Sequence, residues 1–209
     1  MLLEKLRAKR RTNPLFFPDE LRMLLGGERA ERALTDPDSV DLLTWNVFST
    51  LDTHRDRRWL AHRLQAFGGA AVRAPVRLSL WTGAEREPLL HPSPAYVAEI
   101  RRRAAEHGGD AASVAGFSAP VEVPVRVESP DVLALVETTV ANVPRGRGGR
   151  DRIVELVDAG MDHARRLGRG LAVAFVYQSG TDAAAELSAR LNALRDPARL
   201  AAELPYRRQ

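Results

Sequence analysis

The residues best placed to do chemistry are two glutamates, Glu122 and Glu137, near the ends of the stretch PVEVPVRVESPDVLALVETTV between Pro120 and Val140. Val121, Val123, Val125 and Val127 alternate with Glu122, Pro124, Arg126 and Glu128, which predicts a strand with one buried face. Val132 to Val136 is an apolar run suited to a strand covered on both faces, and Glu137-Thr138-Thr139 closes it. A carboxylate at the end of a buried strand is costly to desolvate unless something compensates it. A metal ion or a basic group is therefore expected beside Glu137, and the plainer alternative is an arginine from the loop that follows. A four-residue loop, Glu128 to Asp131, places Pro130 where a turn tolerates it and closes with Val127 opposite Val132. Counting outward, Glu122 then faces Glu137 at ~5 Å between Cβ atoms. Two like charges so placed repel unless a cation lies between them or one is protonated. Asp131 has the same parity as Glu137 but lies roughly 20 Å away along the strand, so it reads as a turn residue.

Other elements must position this hairpin. Pro18-Asp19-Glu20 opens a helix that stops at Gly26-Gly27, and residues 1–37 as a whole read as an arm. Its basic start, MLLEKLRAKRR, can form a short helix. That helix is either a grip on a phosphate backbone or a solvated cover for a core edge. From Asp38 to Phe67 the spacing is helical, with a polar break between Asp52 and Arg58. Asp41 sits in the first turn of that helix, where the dipole favours a carboxylate whether or not it has a task. Val72–Trp81 is a candidate strand, and Ala95–His107 a helix inserted before the hairpin. Beyond it come a helix over Asp151–Leu167 with Ile153, Val157, Met161 and Ala164 as its stripe, a buried strand over Leu171–Tyr177, and a helix over Asp182–Leu194. The linker carrying Arg145, Arg147 and Arg150 is rich in glycine and runs into a helix N-terminus. It can hold a phosphate through N–H groups and guanidinium ions, or simply connect.

Composition removes several function classes. A chain of 209 residues without cysteine has no disulfide, no cysteine-ligated zinc and no thiol nucleophile. There is no HExxH, no GxSxG and no lysine-bearing phosphate loop. No apolar run reaches a membrane span, and the N-terminus lacks a secretory signal, so the cytoplasm is the expected location. Of the 31 basic residues only Lys5 and Lys9 are lysine, and the formal charge is +4. Arginine suits phosphate, but 27 acids make the net charge weak evidence for nucleic acid.

The order helix, strand, strand, strand, helix, strand, with the texts LLTWNVFSTL, VEVPVRVESPDVLALVETT and LAVAFVYQSG, resembles the restriction-endonuclease-like superfamily of PD-(D/E)XK nucleases over residues 38–180. Residues 181–209 then follow as a C-terminal helix and basic tail. The resemblance implies an α/β fold, a mixed sheet flanked by helices in αβββαβ order, acting on DNA. It implies Mg²⁺ or Mn²⁺ held by Glu122, Glu137 and, from the first helix, Asp41, with Glu137 as the glutamate of the E-x-K element. Pro124 stands at the alternative position for the second-strand acid. Thr139 occupies the lysine position, and no lysine follows Lys9, so the group that helps activate water has no counterpart. Two readings stay open: a metal-dependent phosphodiester hydrolase, and a degenerate nuclease-fold protein serving as a DNA-binding or scaffold subunit. The partners expected are DNA, through Arg145, Arg147 and Arg150, and a second copy of the chain in a homodimer; a membrane is not.

Overall fold

The computed structural model describes residues 18–36, 38–53, 57–68, 72–108, 116–140, 143–146, 151–177 and 179–204. The basic N-terminal stretch, Arg147, Arg150, Gln178 and the basic tail lie outside the described residues. Four strands form one open mixed sheet in the order β1 (Arg77–Thr82), β2 (Val123–Glu128), β3 (Val132–Thr139), β4 (Gly170–Tyr177). β1 and β2 pair antiparallel, as do β2 and β3, while β3 and β4 are parallel. A parallel neighbour cannot be reached by a tight turn, and α6 (Arg152–Arg166) supplies the crossover.

One face of the sheet is covered by α1 (Pro18–Leu25), α2 (Gly27–Thr35), α3 (Val40–Thr53) and α4 (Arg57–Gly68). Leu21, Leu34, Leu42, Trp45 and Leu60 meet Leu80, Val125, Val127, Ala134 and Val136 there. On the other face Leu133 and Leu135 pack on Leu156 and Ala159 of α6. α5 (Pro94–Glu106), α7 (Asp182–Leu194) and α8 (Pro197–Glu203) complete the described helices. All eight residues of β3 are buried, which explains its nearly unbroken apolar text. The strand expected from Val72 begins only at Arg77, after Pro75, which has no N–H to give a ladder.

The hairpin register differs from the expected one by two residues. Val127 pairs with Ala134 and Arg126 with Leu135, so Val127 does not face Val132. The turn has two central residues, Pro130 and Asp131, closed by the Ser129 N–H donating to the Val132 carbonyl at 2.9 Å. Proline at the second turn position presets its backbone angle, and the Ser129 hydroxyl accepts from the Val132 N–H at 3.0 Å. A shift of two keeps every side chain on its face but moves neighbours along the strand. Continued outward, the ladder brings Pro124, not Glu122, level with Glu137. Asp131 is indeed a turn residue, and it pairs with Arg73.

α6 is wedged more tightly than one stripe allows. Met161, expected in the core, is 37% exposed, whereas Leu156, Asp158 and Ala159 are fully buried. Gly160 lets the helix approach the sheet: a Cβ there would lie 2.8 Å from Leu135 Cδ1 and 2.7 Å from Leu171 Cδ1.

Arg126, level with Leu135 in mid-sheet, is 2% exposed and is satisfied by Glu128 at 2.5 Å, the Pro88 carbonyl at 3.3 Å and His163 Nε2 at 2.8 Å. Arg169 also reaches Glu128, at 2.7 Å. Because Arg126 donates to Nε2, that nitrogen offers its lone pair and the imidazole is neutral. Burial and the charges of Arg126, Arg166 and Arg169 push the His163 pKa down, against Glu128. The unfolded chain therefore binds the proton more readily, and stability falls as pH drops below the ordinary histidine value. Urea midpoints at about pH 7.5 and about pH 5.5 should show a smaller acid loss in His163→Gln than in the native protein.

Candidate functional site

Where β3 and β4 end, a cleft of about 910 Å³ opens among the first residues of α3 and α6, the approach to β2 and residues 143–146. Asp41, Glu122, Glu137, Thr139 and Arg145, all expected as site residues, line this one space. Asp41 arrives from the first turn of α3, and Glu137 and Thr139 from the end of β3. Arg145 is exposed, and its backbone bridges to Asp151, the N-cap of α6.

Two arginines absent from the sequence-based site organise these acids. Arg29, on α2, donates to both carboxylate oxygens of Asp41 at 2.8 Å and to both of Glu122 at 2.9 Å. The planar guanidinium suits such paired acceptance and joins two carboxylates that would otherwise repel. Hydrogen bonding to Asp41 is the largest influence raising the Arg29 pKa, ahead of the opposing effect of burial. Trp81 supports the arrangement: its indole N–H donates to Asp41 at 3.1 Å, and the guanidinium carbon lies 6.0 Å from its ring centroid. Trp81 adopts a φ of 47°, a left-handed conformation that a bulky residue rarely takes and that the surrounding contacts hold in place.

Arg152, the first residue of α6, serves Glu137. Its Nε donates to Glu137 at 2.6 Å, one Nη to Glu155 at 2.8 Å and the other to the Glu122 carbonyl at 2.6 Å. The three side chains are 13%, 9% and 2% exposed for Arg152, Glu137 and Glu155, so this is a buried ion cluster. Burial pushes the Glu137 pKa up, although Arg152 and the Thr138 backbone pull it down. The arginine alternative for Glu137 is thus the one the structure displays, supplied by the helix after the loop.

Oxygen donors for magnesium are present in type, but they do not fit such an ion as arranged. Both oxygens of Asp41 and both of Glu122 accept from Arg29, and Glu137 is committed to Arg152. Among the described residues no group of three or more histidine or carboxylate side chains is placed to hold a metal. Thr139 brings a hydroxyl, with no charge at neutral pH, where the resemblance puts lysine. Glu155 and Glu186 also line the cleft, so among the described lining residues five carboxylates face Arg29, Arg145 and Arg152. Sequence alone had no means of selecting Arg29, which lies 93 positions from Glu122. No family model matches the chain, and no curated protein or solved structure matches it either.

Proposed function

We propose that this chain is a catalytically silent nuclease-fold protein of the restriction-endonuclease-like kind, which holds DNA or a partner rather than cutting a phosphodiester. The observation carrying this reading is that guanidinium ions occupy the spaces where a hydrolase would need a cation with open positions. The mixed sheet with an antiparallel hairpin, a crossover helix and a parallel fourth strand supports the fold part of the proposal. Thr139 and Pro124 support the loss of chemistry: neither a base nor a second-strand acid stands beside Glu137.

Each residue then has a structural task. Arg29 neutralises Asp41 and Glu122, Arg152 neutralises Glu137 and Glu155, and Trp81 fixes the orientation of Asp41. Among the described residues that line the cleft, acids outnumber bases by two, which works against phosphate at its floor. DNA would instead meet Arg145, exposed at the rim.

Incubation with labelled single- and double-stranded DNA, with Mg²⁺ and with Mn²⁺, is expected to give binding at low salt that weakens steeply as salt rises, and no cleavage. Replacing Arg145, Arg147 and Arg150 together by Gln should weaken binding at least tenfold and flatten its salt dependence. Cleavage that disappears in Glu137→Gln would overturn the proposal.

A further inference from the structure

β4 closes the sheet on the side away from β1, and among the described residues no strand lies beyond it. Every residue of β3 is buried, whereas β4 is exposed at Gly170 and only half-buried from Leu171 to Tyr177. Its text, GLAVAFVY, carries neither the charge nor the proline by which natural proteins blunt a free edge. The register tells which of its backbone groups face outward. Gly170 lies level with Val132, and its N–H donates to the Asp131 carbonyl at 2.7 Å. In a parallel ladder alternate residues bond to the same neighbour, so Gly170, Ala172, Ala174 and Val176 serve β3. Leu171, Val173, Phe175 and Tyr177 therefore turn their N–H and C=O groups to the open side.

We propose that this edge pairs with the same edge of a second copy of the chain, antiparallel about a two-fold axis at Ala174. That register sets Leu171 of one copy opposite Tyr177 of the other, and Val173 opposite Phe175, so every outward group of the strand finds a partner. An axis at Val173 or at Phe175 leaves Tyr177 or Leu171 opposite a residue outside the strand. On the α6 face aliphatic side chains then meet aromatic ones. On the other face Ala174 meets Ala174 at the close, non-bonded position, where a small side chain fits. The flanks agree in charge. Gly160 meets the sheet over Leu135 and Leu171, and His163 leans toward Arg126 of β2, so Met161 and Arg165, one turn apart, fall on the flank outside β4. Both are exposed, as is Asp182, which opens α7 just past the other end of β4. Reversing one copy against the other brings Arg165 and Asp182 of different copies to the same end of the joint, as opposite charges. The inference rests on strand register and stands apart from any role of the cleft.

Sedimentation of the 209-residue protein at micromolar concentration should give a species of twice 23.0 kDa. Hydrogen exchange read by NMR should show the Leu171, Val173, Phe175 and Tyr177 amides protected together with the alternate ones that bond to β3. Val173→Pro spares the β3 ladder, because that N–H points outward, and should leave a folded monomer whose remaining outward amides exchange freely. Arg165→Glu, a change on the surface, should weaken dimerisation about tenfold, and adding Asp182→Arg should restore it. Three results would each overturn the assignment: a monomeric native protein, a dimer whose outward amides exchange freely, or a dimer that neither Val173→Pro nor Arg165→Glu weakens.

Discussion

Replacing Arg152 by methionine should cost about 3–5 kcal/mol of unfolding free energy, because it strands two buried carboxylates rather than because it deletes a favourable pair. Glu137 and Glu155 are 9% and 2% exposed, and the same guanidinium donates to both. Methionine fills similar space without charge, so the loss reports electrostatics more than packing. Its pH dependence follows from the sign of the Glu137 shift. Burial already raises that pKa, and removing Arg152 raises it further. A carboxyl whose folded pKa exceeds its unfolded value contributes stability at low pH and loses it as pH rises through the folded value. The variant should therefore trail the native protein more at pH 8 than at pH 5. Adding Glu137→Gln and Glu155→Gln to Arg152→Met should recover part of the deficit, since neutral amides need no counter-charge. A loss below about 1 kcal/mol in urea unfolding would show that water or another group already serves these acids.

Asp158→Ala should be nearly as damaging, at about 3 kcal/mol, for a reason remote from the cleft. Asp158 is fully buried on α6 and accepts from the Ser93 N–H at 2.7 Å and the Ser93 hydroxyl at 2.8 Å. Ser93 in turn caps α5, accepting from the Tyr96 N–H at 3.1 Å. One carboxylate thus ties the start of α5 to the crossover helix. Alanine leaves the Ser93 N–H buried without that acceptor, whereas asparagine keeps an oxygen for it and should cost about 1 kcal/mol. Hydrogen exchange in the first turn of α5 should accelerate in the alanine variant before the rest of the sheet responds.

The parts of the fold that could be read from sequence were those set by local pattern. Alternating valines marked β2, the apolar run marked β3, and the expected span Asp151–Leu167 bracketed α6 closely. The hairpin register escaped because one proline suits more than one turn, and only the Ser129 hydroxyl contacts decide between them. α2 escaped because Gly26-Gly27 reads as a stop, whereas Gly27 opens the next helix. The stripe of α6 was misplaced at Met161 because a helix wedged against a sheet buries a broad face, not a narrow line.

The acids of the site were legible for a physical reason: a charged residue ending an apolar run stands out. Their partners were not. Nearly all basic residues of this chain are arginine, and nothing local distinguishes Arg29 or Arg152 from the others. Arg29 bridges Asp41 and Glu122 across 12 and 93 positions, so its role exists only after the chain has folded. Charge patterning therefore disclosed where a cation is needed, while the three-dimensional arrangement supplied its identity. The lysine position told in the same direction, since Thr139 lies in the cleft without a charge.

The most direct test is a calorimetric titration of Mn²⁺ into the 209-residue protein at neutral pH, beside Arg29→Gln and Glu137→Gln. If guanidinium ions stand where a hydrolase would keep its metal, the native protein should show no saturable heat at millimolar Mn²⁺. One tightly bound ion per chain, lost in Glu137→Gln, would contradict that account.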